Sequence, residues 1–230
     1  MKHIQIKKSQ PFGFSLTELL VVIAIITVLT TLGFMGVSTF SKRANAAKDA
    51  TTLRQIWTCI QMYSGDHNDL MPGPLFSAQV PIYNKPTPSN PREWRRLSDC
   101  LTPYLRHDSP KQGDFIEEMA ASWQKTPDTR NAAAYFMQQK LPIGFGDESG
   151  NPWGRPAPAS ADLRLPMRMA HVMGQSQNSR TWAITEVDQL HPEIPKPNLK
   201  TPEGMAHGGY RLGIYFDGGM GRFGVDNNPL

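Results

Sequence analysis

The stretch GFSLTELLVVIAIITVLTTLGFMGV, Gly13 to Val37, decides how the rest of the chain is read. From Phe14 onward it holds 24 residues and one charged side chain, Glu18. As a helix it is about 36 Å long, enough for a hydrocarbon core of about 30 Å with some tilt. Lys2, Lys7 and Lys8 precede it, and no acid occurs among the first 13 residues. The positive-inside tendency therefore places the short N-terminus in the cytoplasm and everything after Val37 on the far side of the membrane.

Glu18 is the difficulty. A secretory signal has an apolar region of about 7–15 residues followed by a small-residue cleavage site. This run is longer, and no A-x-A follows it closely. A plain membrane anchor explains the length but not the acid. An ionised carboxylate at the centre of a lipid-facing helix costs about 2.5–3.5 kcal/mol, less near an end. Such a group needs a partner, and no cationic side chain within the run supplies one. A cut between Gly13 and Phe14 creates one: the new amine of Phe14 lies one helical turn from Glu18, on the same chain or on a neighbour. Glu18 then reads as a register device for assembly.

With these residues in view, KKSQPFGFSLTELLVVIAII resembles the N-terminus of type IV prepilins and type II secretion pseudopilins. That family has a short basic leader, a glycine before the cleavage point, an acid shortly after it and a hydrophobic helix. The resemblance implies a leader over 1–13, cleavage after Gly13 by a prepilin peptidase, methylation of Phe14, and Glu18 as the assembly acid. It also implies a single-pass protein of the bacterial inner membrane. Its outer domain would be periplasmic or carried on an extracellular filament. Its partners would be the peptidase, itself and other pilin-like subunits, and inner-membrane lipid.

Beyond Ser41 the helical pattern continues. Ala46, Ala50, Leu53, Trp57 and Ile60 share one face, while Lys42, Arg43, Lys48, Asp49, Arg54 and Gln61 are assigned largely elsewhere. Gly33 and Gly36 weaken the helix locally, each costing about 1 kcal/mol against alanine. One helix over 14–64 follows, with a transmembrane part at 14–37 and an amphipathic part at 38–64. Gly65 is its expected C-terminal cap. In the next segment, GDHND, the oxygens of Asp66, Asn68 and Asp69 invite a calcium reading. Their spacing does not fit a twelve-residue calcium loop, and turn chemistry accounts for them better.

The outer domain spans 65–230. Six prolines between Pro72 and Pro91 forbid a regular helix there and predict an extended connection. EWRRLSDCLTPYL has helical spacing broken by Pro103, and GDFIEEMAASWQK reads as another short helix. DTRNAAAYFMQQK fits helix or strand. The glycine- and proline-rich stretch 142–166 reads as surface loop. Near the C-terminus, Arg180–Asp188 alternates Trp182, Ile184 and Glu186 against Ala183, Thr185 and Val187. Tyr210, Leu212, Ile214 and Phe216 share a strand face, Asp217-Gly218-Gly219 makes a hairpin turn, and a return strand runs through Phe223. The expected fold is α+β and pilin-like: a long N-terminal helix packed on a small antiparallel sheet.

His207 and Asp217-Gly218 are separated by nine residues. This H-x9-DG spacing, together with SRTWAITEVD ahead of it, is similar to the C-terminal region of a large group of prepilin-like proteins. The similarity is strong over about 11–75 and 180–225 and thin between. The pair is read as structural, with His207 ending a loop and Asp217 making the turn. No nucleophile motif accompanies it, neither G-x-S-x-G nor H-E-x-x-H, so no catalytic residue and no enzyme activity is expected.

Cys59 and Cys100 lack metal-site spacing. They fit a disulfide outside the cytoplasm or two buried thiols, and both readings stand. No metal site and no cofactor is expected. The formal charge of +4 loses three units with the leader lysines, leaving +1, which is no footprint for nucleic acid. Arg92, Arg95 and Arg96 around Trp94 read as a solvated face with one packed tryptophan. The function expected is a structural subunit of a type II secretion or type IV pilus-like filament. The alternative is a membrane-anchored binding module for a polymer such as carbohydrate.

Overall fold

The computed structural model describes residues 15–79, 96–105, 133, 135–139, 141, 150–156, 164–174, 180–192, 201, 204–205 and 207–230, with the backbone alone over 32–39. The chain divides into two units, Met1–Arg43 and Ala44–Leu230.

Helix α1, Leu16–Asp66, contributes to both units. In the first unit the stretch from Leu16 to Leu29 carries apolar side chains on every side, with Thr17, Glu18 and Thr27 among them. Leu16, Leu19, Leu20, Val21, Val22, Ile23, Ile25, Ile26, Val28 and Leu29 are all exposed. The threonines among them bond to their own helix: Thr27 Oγ1 donates to the Ile23 carbonyl at 2.7 Å and Thr31 Oγ1 to the Thr27 carbonyl at 2.8 Å. No hydroxyl of these two is left to seek water. The expected span 14–37 extends at both ends past the side chains described here. Among the described residues no helix is long and apolar enough to cross a membrane.

In the second unit, the C-terminal part of α1 becomes one-sided. Leu53, Ile56, Trp57 and Ile60 are buried, and Ala46 and Ala50 pack partly buried against the same core. Asp49 departs from the expectation. It sits three residues after Ala46 and four before Leu53, so the helical period puts it on the buried stripe, where it is 0% exposed. Gly65 does not cap the helix. The Ser64 carbonyl accepts the Asp69 N–H at 2.8 Å, and Asn68 takes the left-handed conformation at φ 55°. That six-to-one bond stops the helix about one turn later than the glycine suggests.

The sheet is five-stranded and antiparallel throughout, in the order β1 (Ala78–Gln79), β2 (Tyr135–Met137), β3 (Trp182–Glu186), β4 (Arg211–Tyr215), β5 (Met220–Phe223). The ambiguous AYFM segment is thus a strand. The proline-rich connection supplies β1. The register pairs Thr185 with Gly213 and Ile214 with Met220. Leu212, Ile214 and Phe216 join Leu53, Ile56, Trp57 and Ile60 in one core, with Trp57 edge-on to Phe216 at 6.1 Å. This is the α+β, pilin-like packing of helix on sheet. Simple alternation fails in β3. A register shift between Trp182 and Ile184 turns Trp182 to the other face, where it joins Ala78, Phe136, Val187 and Phe223 in a second cluster.

Two short helices complete the described elements, α2 (Leu97–Leu101) and α3 (Met169–Met173). Gln79 Oε1 accepts the Leu97 N–H at 2.7 Å and ties α2 to the sheet edge. Arg96 is not on a solvated face: it is 5% exposed and pairs with Asp99 at 2.9 Å. Arg92, Trp94 and Arg95 lie outside the described residues, as does the helix expected over 113–125.

Candidate functional site

Two groups of residues bear on function, one at the start of α1 and one where α1 meets the sheet.

Gly13 and Phe14 lie outside the described residues. Glu18 is described, and it has a partner that cation-counting overlooked. Its Oε2 accepts the Ser15 N–H at 2.8 Å, and its own N–H donates to Ser15 Oγ at 3.2 Å. SLTE is therefore a capping box, with Ser15 at the N-cap and Glu18 at the third helical position. Two of the four orphan donors at this helix end are satisfied, and the acid sits where the helix dipole favours negative charge. The S-x-x-E spacing was the signal for this.

The second group gathers around His207. Its side chain is 1% exposed, and its Nε2 lies 3.0 Å from Glu186 Oε1 and 3.5 Å from Asp49 Oδ2. The other Glu186 oxygen, Oε2, accepts the Leu212 N–H at 2.8 Å. The His207 ring stacks on Tyr210 at 5.3 Å, and Arg222 covers the Tyr210 ring at 4.9 Å. His207 thus does more than end a loop. It joins α1 through Asp49 to β3 through Glu186. Asp49, Glu186 and His207 are also the group of metal-type donors among the described residues, with ligand atoms all within 4.8 Å of one another. Burial this complete keeps a substrate away, so the trio offers no site for acid–base turnover.

Asp217 occupies the β4–β5 turn, where its Oδ1 accepts the Gly219 N–H at 2.7 Å. Gly218 has φ +84°, and a Cβ there would meet Trp57 Nε1 at 3.1 Å. His207, at one end of the H-x9-DG spacing, meets α1 through Asp49, and Gly218, at the other, lies where an added Cβ would press on Trp57 of α1.

Beside this region Arg211, fully buried, forks onto Asp188 at 2.6 and 2.9 Å and donates to the Gly224 carbonyl at 2.7 Å. His191 is buried nearby, with Nε2 3.1 Å from Thr185 Oγ1. Burial, and then the Arg211 charge, push the His191 pKa down to about 4, against a smaller opposing pull from Asp188.

Cys59 and Cys100 form no disulfide. The Cys59 thiol is directed at the Tyr104 carbonyl, 3.6 Å away, and burial raises its pKa. Two of the three loop residues with a calcium look accept from protein donors. Asp66 Oδ2 accepts from the Tyr104 hydroxyl at 2.8 Å, and Asp69 Oδ2 accepts the Ala170 N–H at 3.0 Å, capping α3.

Residues 9–34 match the family described as the prokaryotic N-terminal methylation motif. No curated protein and no solved structure matches the chain. The motif is a prepilin-type cleavage and methylation signal, the kind on which prepilin peptidase acts.

Proposed function

We propose that this chain is a structural subunit of a type II secretion or type IV pilus-like filament. In this reading prepilin peptidase removes Met1–Gly13 and methylates the Phe14 amine. The mature chain rests in the inner membrane with its N-terminus cytoplasmic and its Ala44–Leu230 unit outside. It then joins a fibre with copies of itself and other pilin-like subunits.

One observation carries the reading: the methylation motif at 9–34 contains a helix stretch whose apolar side chains, from Leu16 to Leu29, are exposed on every side. A helix with no polar face is stable only in lipid or inside a bundle. Leaving the membrane for a fibre exchanges one apolar surrounding for another. Helix-to-helix packing then replaces lipid contact at little cost in exposed hydrocarbon.

Glu18 fits both states. In lipid, the capping box shares its charge with the Ser15 N–H. In the fibre, a Phe14 amine of the same chain or a neighbour neutralises it and sets the stagger between subunits.

Co-expression with a prepilin peptidase, shearing and sedimentation test this. Processed protein in the filament pellet is the expected result. Processed protein found solely as dispersed membrane protein would favour an anchored binding module.

A further inference from the structure

We propose that Asp49, Glu186 and His207 bind a divalent transition-metal ion of the zinc class, which clasps α1 to the sheet. The proposal is independent of filament assembly, since it concerns the Ala44–Leu230 unit alone.

The donor set fits such an ion. Zinc takes imidazole nitrogen and carboxylate oxygen at about 2.0–2.2 Å, almost always in tetrahedral geometry. Those bond lengths put neighbouring ligand atoms roughly 3.3–3.5 Å apart. Here the Nε2–Oε1 and Nε2–Oδ2 separations, 3.0 and 3.5 Å, lie close to that spacing; the three donors are within 4.8 Å of one another, would close up on an ion, and fill three of its four positions, with the fourth left to water. Calcium wants about six to eight oxygens at longer distances, more than these three residues provide.

The donors are also held in place before any ion arrives. Glu186 Oε2 is tied to the Leu212 N–H at 2.8 Å, which aims Oε1 at the cluster. The stack on Tyr210 fixes the plane of the His207 ring. Among the described residues all hydrogen-bonding and ionic contacts of that ring run through Nε2, the atom that faces both carboxylates.

Two carboxylate oxygens converging on one ring nitrogen are poorly served by a proton. A single N–H makes one good bond, here the shorter one to Glu186 at 3.0 Å, with Asp49 Oδ2 farther from the ring at 3.5 Å. A dication between the three atoms would bond all of them at once in a buried place where charge is costly. The three ligands come from α1, from β3 and from the turn before β4. The ion would therefore hold the helix on the sheet at a point where apolar packing is interrupted by charge.

The experiment uses the full-length chain in detergent, stripped with a chelator and dialysed, then titrated with zinc alone or cobalt alone. The expected result is one equivalent of zinc retained through gel filtration and a higher unfolding midpoint. Cobalt should give the strong visible absorption of a four-coordinate site. Asp49→Asn and Glu186→Gln keep shape and hydrogen bonding but should lose the metal and the cobalt spectrum. His171→Ala, at an exposed histidine on α3, should keep both. A folded wild-type chain that retains neither zinc nor cobalt would overturn the proposal and leave a proton-mediated contact between helix and sheet. Binding that survives unchanged in Asp49→Asn and Glu186→Gln would also overturn it.

Discussion

Acidification of the folded chain should cost stability through one residue, His191. The imidazole is buried against Phe136 and Trp182, at ring distances of 5.1 and 6.0 Å, with the Arg211 charge nearby. Its pKa is about 4 in the folded chain against 6.5 as the ordinary value. Folding thus excludes a proton that the unfolded chain accepts. Above pH 6.5 neither state is protonated at this site and the contribution to stability is complete. As pH falls from 6.5 towards 4, the unfolded chain gains a proton that the folded one refuses, and stability falls. The gap, at about 1.4 kcal/mol per pH unit, comes to roughly 3 kcal/mol, of which about 2 kcal/mol is lost between pH 7 and pH 5. Urea unfolding of wild type and His191→Gln across that range would measure it. Glutamine can keep a hydrogen bond to Thr185 but does not titrate. Its stability should therefore fall less steeply with acid, whatever its value at neutral pH. Parallel pH dependences in the two proteins would refute the argument.

Two further perturbations address the turn and the helix start. Gly218→Ala places a Cβ against Trp57 at a φ of +84° and should cost about 1–3 kcal/mol in denaturant unfolding. Gly204→Ala, where a Cβ meets nothing within 4 Å, should sit near wild type. Glu18→Gln keeps an acceptor for the Ser15 N–H and loses the charge, whereas Ser15→Ala loses the cap and keeps the charge. If Glu18 sets the register, sheared filaments should vanish in Glu18→Gln and persist in Ser15→Ala. The reverse pattern would make capping its whole role.

The parts of this fold legible in the sequence are those that repeat a period. Leu53, Trp57 and Ile60 mark the helix face, and Leu212, Ile214 and Phe216 mark the strand face that meets it, because each pattern is local and unbroken. Trp182 departs from simple alternation because the bulge beside Ile184 inverts it, and no residue type announces a bulge. Asp49 lies on the buried stripe, which a count of apolar residues alone does not reach. The helical spacing from Ala46 and Leu53 contained the correct answer, and an acid on an apolar face was the sign to look for. Glu186 carried a similar sign, an acid sharing a strand face with Ile184. What no local pattern conveys is their meeting with His207, since residues 49, 186 and 207 are brought together by tertiary packing. Gly65 misled for a related reason: Asn68 takes the left-handed position in its place, and either residue type accepts it.

The central claim is that Met1–Gly13 is a leader and that Phe14 becomes a modified N-terminus. The most direct measurement is the mass and N-terminal sequence of the chain purified from cells with an active prepilin peptidase, beside the same chain from cells without one. The account predicts a mature protein lacking Met1–Gly13 and beginning with N-methylated Phe14, and an uncut precursor where the peptidase is absent. A chain that keeps Met1–Gly13 in both cells would contradict it.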